Sequence, residues 1–296
     1  MKRMALIFFT LLLCCNAFCG TRRALVVFVG DYPTESGWNR IAARNDRRIV
    51  LKMLADNGFR AADVTCLEDA GATYAAIISA LEKFAAEARP GDQVYVHFSC
   101  HGQQITDQDG DEALVDPKDR YDEALVPYDA CVSYGWHGYR GEKHLTDDVL
   151  NGYFSRIQKA VGAKGCLLVV NDACHSGGLE MDETPDMMPP HRGTFDAFEQ
   201  PLKGRTARPE VRQVSWVSIS ACKSFQTNYE VKVDGEMYGR LSYAMSRCFR
   251  EGISADELVK AISEEYKQIP MPEGKVQTLQ YVAPERSKRK AMFQND

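Results

Sequence analysis

What most constrains the fold of this 296-residue chain is a series of short apolar runs that stop abruptly at small or turn-forming residues. Leu167-Leu168-Val169-Val170 leads into Asn171-Asp172-Ala173-Cys174-His175-Ser176-Gly177-Gly178. Four apolar residues bounded in this way read as a strand buried on both faces of a parallel sheet. A second run, Gln93 to Phe98, ends in Ser99-Cys100-His101-Gly102. Ligands of open α/β sheets bind outside the carboxyl ends of the strands, so Cys174 and His101 both stand where chemistry is done. On neighbouring strands, imidazole and thiol would face each other as an activated nucleophile requires.

The remaining periodicity fits the same scheme. Ala24 to Gly30 is a first buried strand, and Ile41, Ile49, Val50, Met53 and Leu54 mark a helix that ends at Asn57-Gly58. Asp63 to Leu67 is a strand, and Thr73 to Ala88 a helix closed by Pro90-Gly91-Asp92. Leu145 to Val161 is a helix with Thr146 as N-cap and Asp147-Asp148 in its first turn. Val214 to Ser220 is a further strand, followed by helices at Arg240 to Arg250 and Ala255 to Gln268. Strands alternating with helices of this length predict an α/β fold, a mainly parallel sheet covered on both faces. Two stretches fall outside the pattern. Gln103 to Lys143 is Gly-rich, acidic and aperiodic, a length of structureless chain that is usually functional. Glu180 to Val211 carries Pro185, Pro189, Pro190, Pro201 and Pro209 among many charges and reads as an exposed, mobile loop.

Composition sets the outer bounds. A hydrophobic content of 45% supports a sizeable core, and a net charge of −5 without a Lys/Arg cluster argues against nucleic acid as a partner. Lys2 and Arg3 precede an apolar run from Met4 to Cys15, and small residues follow at Ala17 and Gly20, the pattern of an export signal over residues 1–19. The mature domain is then 20–296, periplasmic or secreted; a lipid anchor is the competing reading. No later stretch suits a membrane span, and a monomer is expected. Cys66, Cys100, Cys131, Cys166, Cys174, Cys222 and Cys248 lack metal-like spacing, so zinc is disfavoured. Their odd number leaves at least one free thiol, for which Cys174 is the candidate.

Taken singly, Cys174 could be an inert buried thiol and His101 a satisfied core residue. Their common position at strand ends, each beside glycine, favours chemistry. The backbone N–H groups of Gly102 and Cys174 are natural oxyanion donors, a class of contact worth about 2.7–4 kcal/mol in other hydrolases. Ser99-Cys100-His101-Gly102, Gly110-Asp111-Glu112, Tyr121 to Pro127, Leu145-Thr146-Asp147-Asp148, Asp172 to Gly177, Ile219 to Lys223 and Gln226-Thr227 together resemble the ordered motifs of the metacaspases, caspase-like cysteine peptidases. The resemblance implies a caspase-type three-layer α/β/α sandwich and peptide-bond hydrolysis, with Cys174 as nucleophile and His101 as general acid/base. It implies substrates with Arg or Lys before the cleaved bond, held at Asp46, Ser99 and Asp172; two carboxylates pair a guanidinium or ammonium far better than an aspartate. Asp46 is alternatively a helix N-terminal residue and Asp172 a turn former. Ala43 stands where many relatives carry Cys, which alters the pocket without altering its charge.

The acidic stretch from Asp107 to Asp129 would repel itself without a cation, and calcium, with six to eight oxygen ligands, suits it. Asp107, Asp109 and Asp111 are spaced as in an EF-hand, but Glu112 occupies the position that needs Gly. By resemblance, the metacaspase calcium site maps onto Asp122, Asp147 and Asp148; its remaining ligand position meets Met181, and the neighbouring Asp182 is the candidate there. The chemistry itself requires no cofactor, so Ca2+ would act as an activator; a solvated acidic loop is the alternative. Arg192, Lys203, Arg205 and Arg208, in the second irregular stretch, are candidate self-cleavage sites of a peptidase selective for basic residues. The competing functions are a catalytically idle caspase-fold binding module and a hydrolase of non-peptide esters. Retention of His101 and Cys174 disfavours the first, and the paired carboxylates disfavour the second. The lack of GxGxxG after Ala24 to Gly30 disfavours a dinucleotide site.

Overall fold

A computed structural model describes residues 20–174, 189–202, 214–224 and 226–294. The chain begins with β1 (Arg22–Phe28), α1 (Ala43–Asp56), β2 (Val64–Glu68), α2 (Tyr74–Glu87) and β3 (Gln93–Ser99). Next come β4 (Gly102–Thr106), the one-turn helix α3 (Glu112–Val115), β5 (Tyr121–Leu125), β6 (Leu145–Thr146) and α4 (Asp147–Val161). The C-terminal half holds β7 (Cys166–Asp172), β8 (Val217–Ser220), β9 (Glu230–Val233), β10 (Glu236–Gly239), α5 (Arg240–Cys248), α6 (Ala255–Gln268), β11 (Gln280–Val282) and α7 (Glu285–Lys288).

Among the described residues the central sheet runs β11-β8-β7-β3-β1-β2, with only β11 antiparallel. Its strands are sorted by the two-residue period of a pleated strand. Leu25, Val27, Val94, Val96, Leu167 and Val169 face one core, built with Ile77, Leu81 and Phe84 of α2 and Leu150, Phe154 and Ile157 of α4. Ala24, Val26, Tyr95, Leu168 and Val170 face the other, built with Val50 and Leu54 of α1, Leu241 and Met245 of α5, and Leu258 and Ile262 of α6. Helices therefore cover both faces, giving three layers. The side chains of Thr146 and Ser254 cap α4 and α6, the latter in a full capping box with Glu257.

The structure corrects two expectations. Gln103 to Lys143 is not structureless: it holds most of β4 and all of β5, which with β6 just beyond it form a small antiparallel sheet. Each strand puts only one or two apolar residues into the core, too few for the alternation to stand out. Of the loop expected at Glu180 to Val211, residues 180–188 and 203–211 lie outside the described residues; between 189 and 200 the chain is laid against the domain with Arg192 and Phe198 buried, while Pro190, Asp196, Glu199, Pro201 and Leu202 are exposed. Two buried side chains suffice to hold a polar, proline-containing segment to the surface. The hairpin of β9 and β10 also went unread, although Val233-Asp234-Gly235-Glu236 is a turn signal and both Asp234 and Gly235 have positive φ.

Candidate active site

The register of β3 on β7 aligns Ser99 with Asp172, so His101 and Cys174 each stand two residues beyond the last pair of adjacent parallel strands. The His101 ring is 1% exposed and stacks on Trp38, with centroids 4.8 Å apart. Its Nε2 lies 2.8 Å from the carbonyl oxygen of Asn39, which only accepts, so Nε2 carries the proton. Nδ1 is left as the basic nitrogen, buried and without a hydrogen-bond partner. Burial pushes the imidazole down to about 3, which keeps the resting ring neutral. Cys174 is buried, and its Sγ lies 3.7 Å from the carbonyl oxygen of Gln226.

Asp46, Ser99 and Asp172 converge on one pocket, and a fully buried arginine, Arg192, fills it. One guanidinium nitrogen, Nη2, donates to Asp46 Oδ2 at 2.6 Å and to Glu230 Oε1 at 3.0 Å. The other, Nη1, donates to Ser99 Oγ at 2.8 Å and to the carbonyl oxygen of Asp172 at 3.3 Å, and it lies 3.6 Å from Asp172 Oδ2. Asp46 sits in the first turn of α1 and is fully buried, so its helix position and its pocket role coexist. Burial pushes it up to about 7 against the pull of Arg192. Burial would raise Asp172 too, but Arg192, Ser242 and Asn228 outweigh it and hold that carboxyl below its ordinary range. Gly239 forms the opposite wall: a Cβ there would come within 2.2 Å of Asp172 and 2.4 Å of the guanidinium.

The backbone around Arg192 is held as firmly as the side chain. Its carbonyl oxygen accepts from the N–H of Cys174 at 2.8 Å and from that of Gly102 at 3.2 Å, the two donors singled out as an oxyanion hole. Its own N–H donates to Asn228 O at 2.9 Å, and Glu230 N–H donates to Pro190 O at 2.8 Å. The next residue, Gly193, packs so closely that a Cβ would meet the Cβ of Cys174 and the oxygen of Gly102 at 2.8 Å each.

Sequence reasoning missed Glu230 as a pocket residue, Asn228 as the acceptor for the Arg192 N–H, and Gly239 as the wall. The signal was available in the Asp234-Gly235 turn, which folds Glu230 and Gly239 into cross-strand partners. Trp38 and Asn39, which orient His101, lie in a loop with no motif to mark them. Lys203, Arg205 and Arg208 lie outside the described residues.

The acidic stretch forms its own cluster. Carboxylate oxygens lie within 4.8 Å of one another in three groups: Asp107, Asp109 and Asp111; Asp111, Glu112 and Asp122; and Glu112, Glu123 and Asp147. Of the expected ligands, Asp122 and Asp147 fall in two different groups that share Glu112, and Asp111 and Glu123 join them. Asp148 stands outside these groups, although its charge acts on Asp111, Asp122 and Asp147. Asp182 lies outside the described residues. Burial, reinforced by like charge, pushes Asp122 up to about 9, Glu123 to about 8, and Glu112 and Asp147 to about 7. Asp111 Oδ1 and Asp147 Oδ1 are buried without a hydrogen-bond partner. Orphaned, mutually repelling carboxylate oxygens are a donor set that fits a hard cation.

Comparison with known proteins agrees with this architecture. The chain is 27% identical to metacaspase-1 of Schizosaccharomyces pombe, an alignment covering 85% of this chain and 66% of that protein. It is 32% identical to metacaspase III c of Phaeodactylum tricornutum over 54% of this chain and 44% of that protein. The chain thus spans about half to two thirds of the length of these relatives. A crystal structure of protein GSU0716 from Geobacter sulfurreducens shares the fold at 21% identity, with a TM-score of 0.59 over 92% of this chain and 97% of that one. The pattern of the caspase domain matches residues 21–282, nearly the whole described chain, and the protein belongs to the caspase-domain family.

Proposed function

We propose that this chain is an exported cysteine endopeptidase that cleaves after arginine, and that its first substrate is its own Arg192–Gly193 bond. One observation carries the reading: a single residue places its side chain in the acidic pocket and its carbonyl oxygen between the N–H groups of Gly102 and Cys174. In the reaction, Cys174 Sγ attacks the Arg192 carbonyl carbon as His101 Nδ1 takes the thiol proton. The oxyanion is stabilised by the same two N–H groups. His101 then gives the proton to the departing nitrogen of Gly193, the C–N bond breaks, and water hydrolyses the thioester.

The pocket offers acceptors to both terminal nitrogens of a guanidinium. A lysine ammonium is one compact donor centre and leaves part of that set unused, so arginine is preferred over lysine. Calcium is proposed as an activator. Asp111, Glu112, Asp122, Glu123 and Asp147 would hold it, and its bound charge would relieve their repulsion and order the segment that begins at Gly102.

The test is incubation of residues 20–296 and of Cys174→Ala, with intact mass and N-terminal sequencing, beside a panel of fluorogenic peptides ending in Arg, Lys, Asp or Ala, with calcium or EDTA. The expected result is a new N-terminus at Gly193 in the wild type alone, and Arg hydrolysis faster than Lys hydrolysis. His101→Ala should lower the rate by roughly 100- to 10,000-fold, as expected for loss of general acid–base catalysis. Cleavage after Asp would overturn the pocket assignment, and a wild type that stays intact and silent on every peptide would favour the idle binding module.

A further inference from the structure

The segment that follows Arg192 does not leave the domain. It runs along the free edge of β4, the strand that begins at the oxyanion donor Gly102. Gly193 pairs with Gly102, and Phe198 pairs with Ile105, both in parallel sense. Phe198 N–H donates to Gln104 O at 2.7 Å, and Thr106 N–H donates to Phe198 O at 3.2 Å. The side-chain amide of Gln103, itself 1% exposed, donates to Asp196 O at 2.9 Å. Gln200 N–H donates to Thr106 Oγ1 at 3.0 Å, and Tyr121 OH donates to Glu199 Oε1 at 2.6 Å.

Phe198, six residues after Arg192, is the anchor of this bridged segment, which bends at Phe195 and Asp196. Its ring is 1% exposed, with centroids 4.6 Å from His144, 5.5 Å from Tyr139 and 6.1 Å from Tyr134. His144 is fixed as a wall by Gln103 Oε1 at 2.9 Å and Tyr139 OH at 2.8 Å. The fourth side is Gly141, where a Cβ would come within 2.9 Å of the Phe198 ring. The seat is therefore shaped around a planar ring by residues from the loop between β5 and β6. As in recognition at a sheet edge, main-chain bonds set where the segment lies and the side-chain pocket supplies selectivity.

We infer that the edge of β4 and the box of Tyr134, Tyr139, Gly141 and His144 form a peptide site on the leaving-group side, which takes a chain that pairs with β4 at two points, bulges between them, and carries an aromatic residue six positions after the arginine. Residues 193–200 are its resident occupant, and a protein substrate of the same pattern competes for it. This rests on the reading of Arg192 as the residue before the cleaved bond.

The test measures binding and therefore does not depend on turnover. A fluorescent peptide, Gly-Thr-Phe-Asp-Ala-Phe-Glu-Gln, and its counterpart with Ala in place of the second Phe are titrated into Cys174→Ala protein that also carries Phe198→Ala. The second substitution frees the seat of its own anchor; Phe198→Leu serves the same comparison if the first does not fold. The Phe peptide should bind at least about tenfold more tightly, as expected for moving a phenylalanine ring out of water, and excess unlabelled Phe peptide should displace it. Equal binding of the two peptides, or binding of neither, overturns the inference. Failure of the wild type to hydrolyse short arginine amides, with the peptide preference intact, would strike the peptidase reading and leave this site standing.

Discussion

Replacing Arg192 tests the pocket without asking for catalysis. In Cys174→Ala protein, Arg192→Ala removes a guanidinium with no exposed surface whose Nη2 lies 2.6 Å from Asp46 and 3.0 Å from Glu230. Deleting one member of a buried ion pair typically costs about 3–5 kcal/mol, because the opposite charge is left unpaired. Asp46, already raised to about 7 by burial, escapes part of that cost by taking up a proton, and water can enter the vacated pocket. We therefore expect about 3 kcal/mol, a fall in Tm of roughly 6–12 °C for a domain of this size. A pocket built to receive arginine in trans should then recover most of the loss from a soluble ligand. Arginine amide at about one hundred times its Kd returns about 2.7 kcal/mol; lysine amide should return less, and norleucine amide nothing. The assay is thermal unfolding at fixed pH with each amide in turn. A loss below about 0.5 kcal/mol, the range of an ordinary surface change, would refute the reasoning. So would an equal response to all three amides.

Two further outcomes follow from groups elsewhere in the structure. His97 is fully buried between Tyr95 OH and Ser242 Oγ, and burial lowers it from 6.5 to about 4. Between those values the unfolded chain binds the proton and the folded chain does not, so the contribution is complete above about pH 6.5 and is lost as pH falls toward 4. The stability advantage of wild type over His97→Gln should shrink by roughly 3 kcal/mol across that window; a constant difference in urea titrations would show that His97 does not titrate as described. Calcium at about one hundred times its Kd should stabilise the protein by about 2.7 kcal/mol over EDTA, and Asp147→Asn should abolish most of that gain. Identical melting curves with calcium and EDTA would remove the cation from the account.

The elements that sequence reveals best are those whose burial is two-sided. Leu167 to Val170 and Val94 to Phe98 lie in the middle of the sheet, so their positions, and with them Cys174 and His101, follow from apolar run length and strand-end logic. Helices α4 and α6 carry their caps, Thr146 and Ser254, in the sequence. Edge structure is less visible: β4 and β5 bury little, and a proline-rich, charged segment looks solvated whether or not a single arginine and a single phenylalanine pin it down. The pocket was legible only in part. Asp46, Ser99 and Asp172 sit at ends of elements that periodicity locates, whereas Glu230 depends on a hairpin and Arg192 on a contact 146 residues distant from Asp46. Long-range charge pairing has no local pattern to leave behind.

The placement of the two reactive side chains has a consequence for how the domain opens. His101 and Cys174 hang from β3 and β7, which are paired on both edges and covered on both faces, so their amides belong to the class that exchanges with solvent only on global unfolding. Residues 189–200 are joined to that frame at its centre as well as its rim: the Arg192 carbonyl accepts from Cys174 N–H, its guanidinium is buried among Asp46, Ser99 and Glu230, and further main-chain bonds run to β4 and to 228–230. Lifting that segment therefore costs the buried contacts of Arg192 and the seat of Phe198 together, although no bond between β3 and β7 need break.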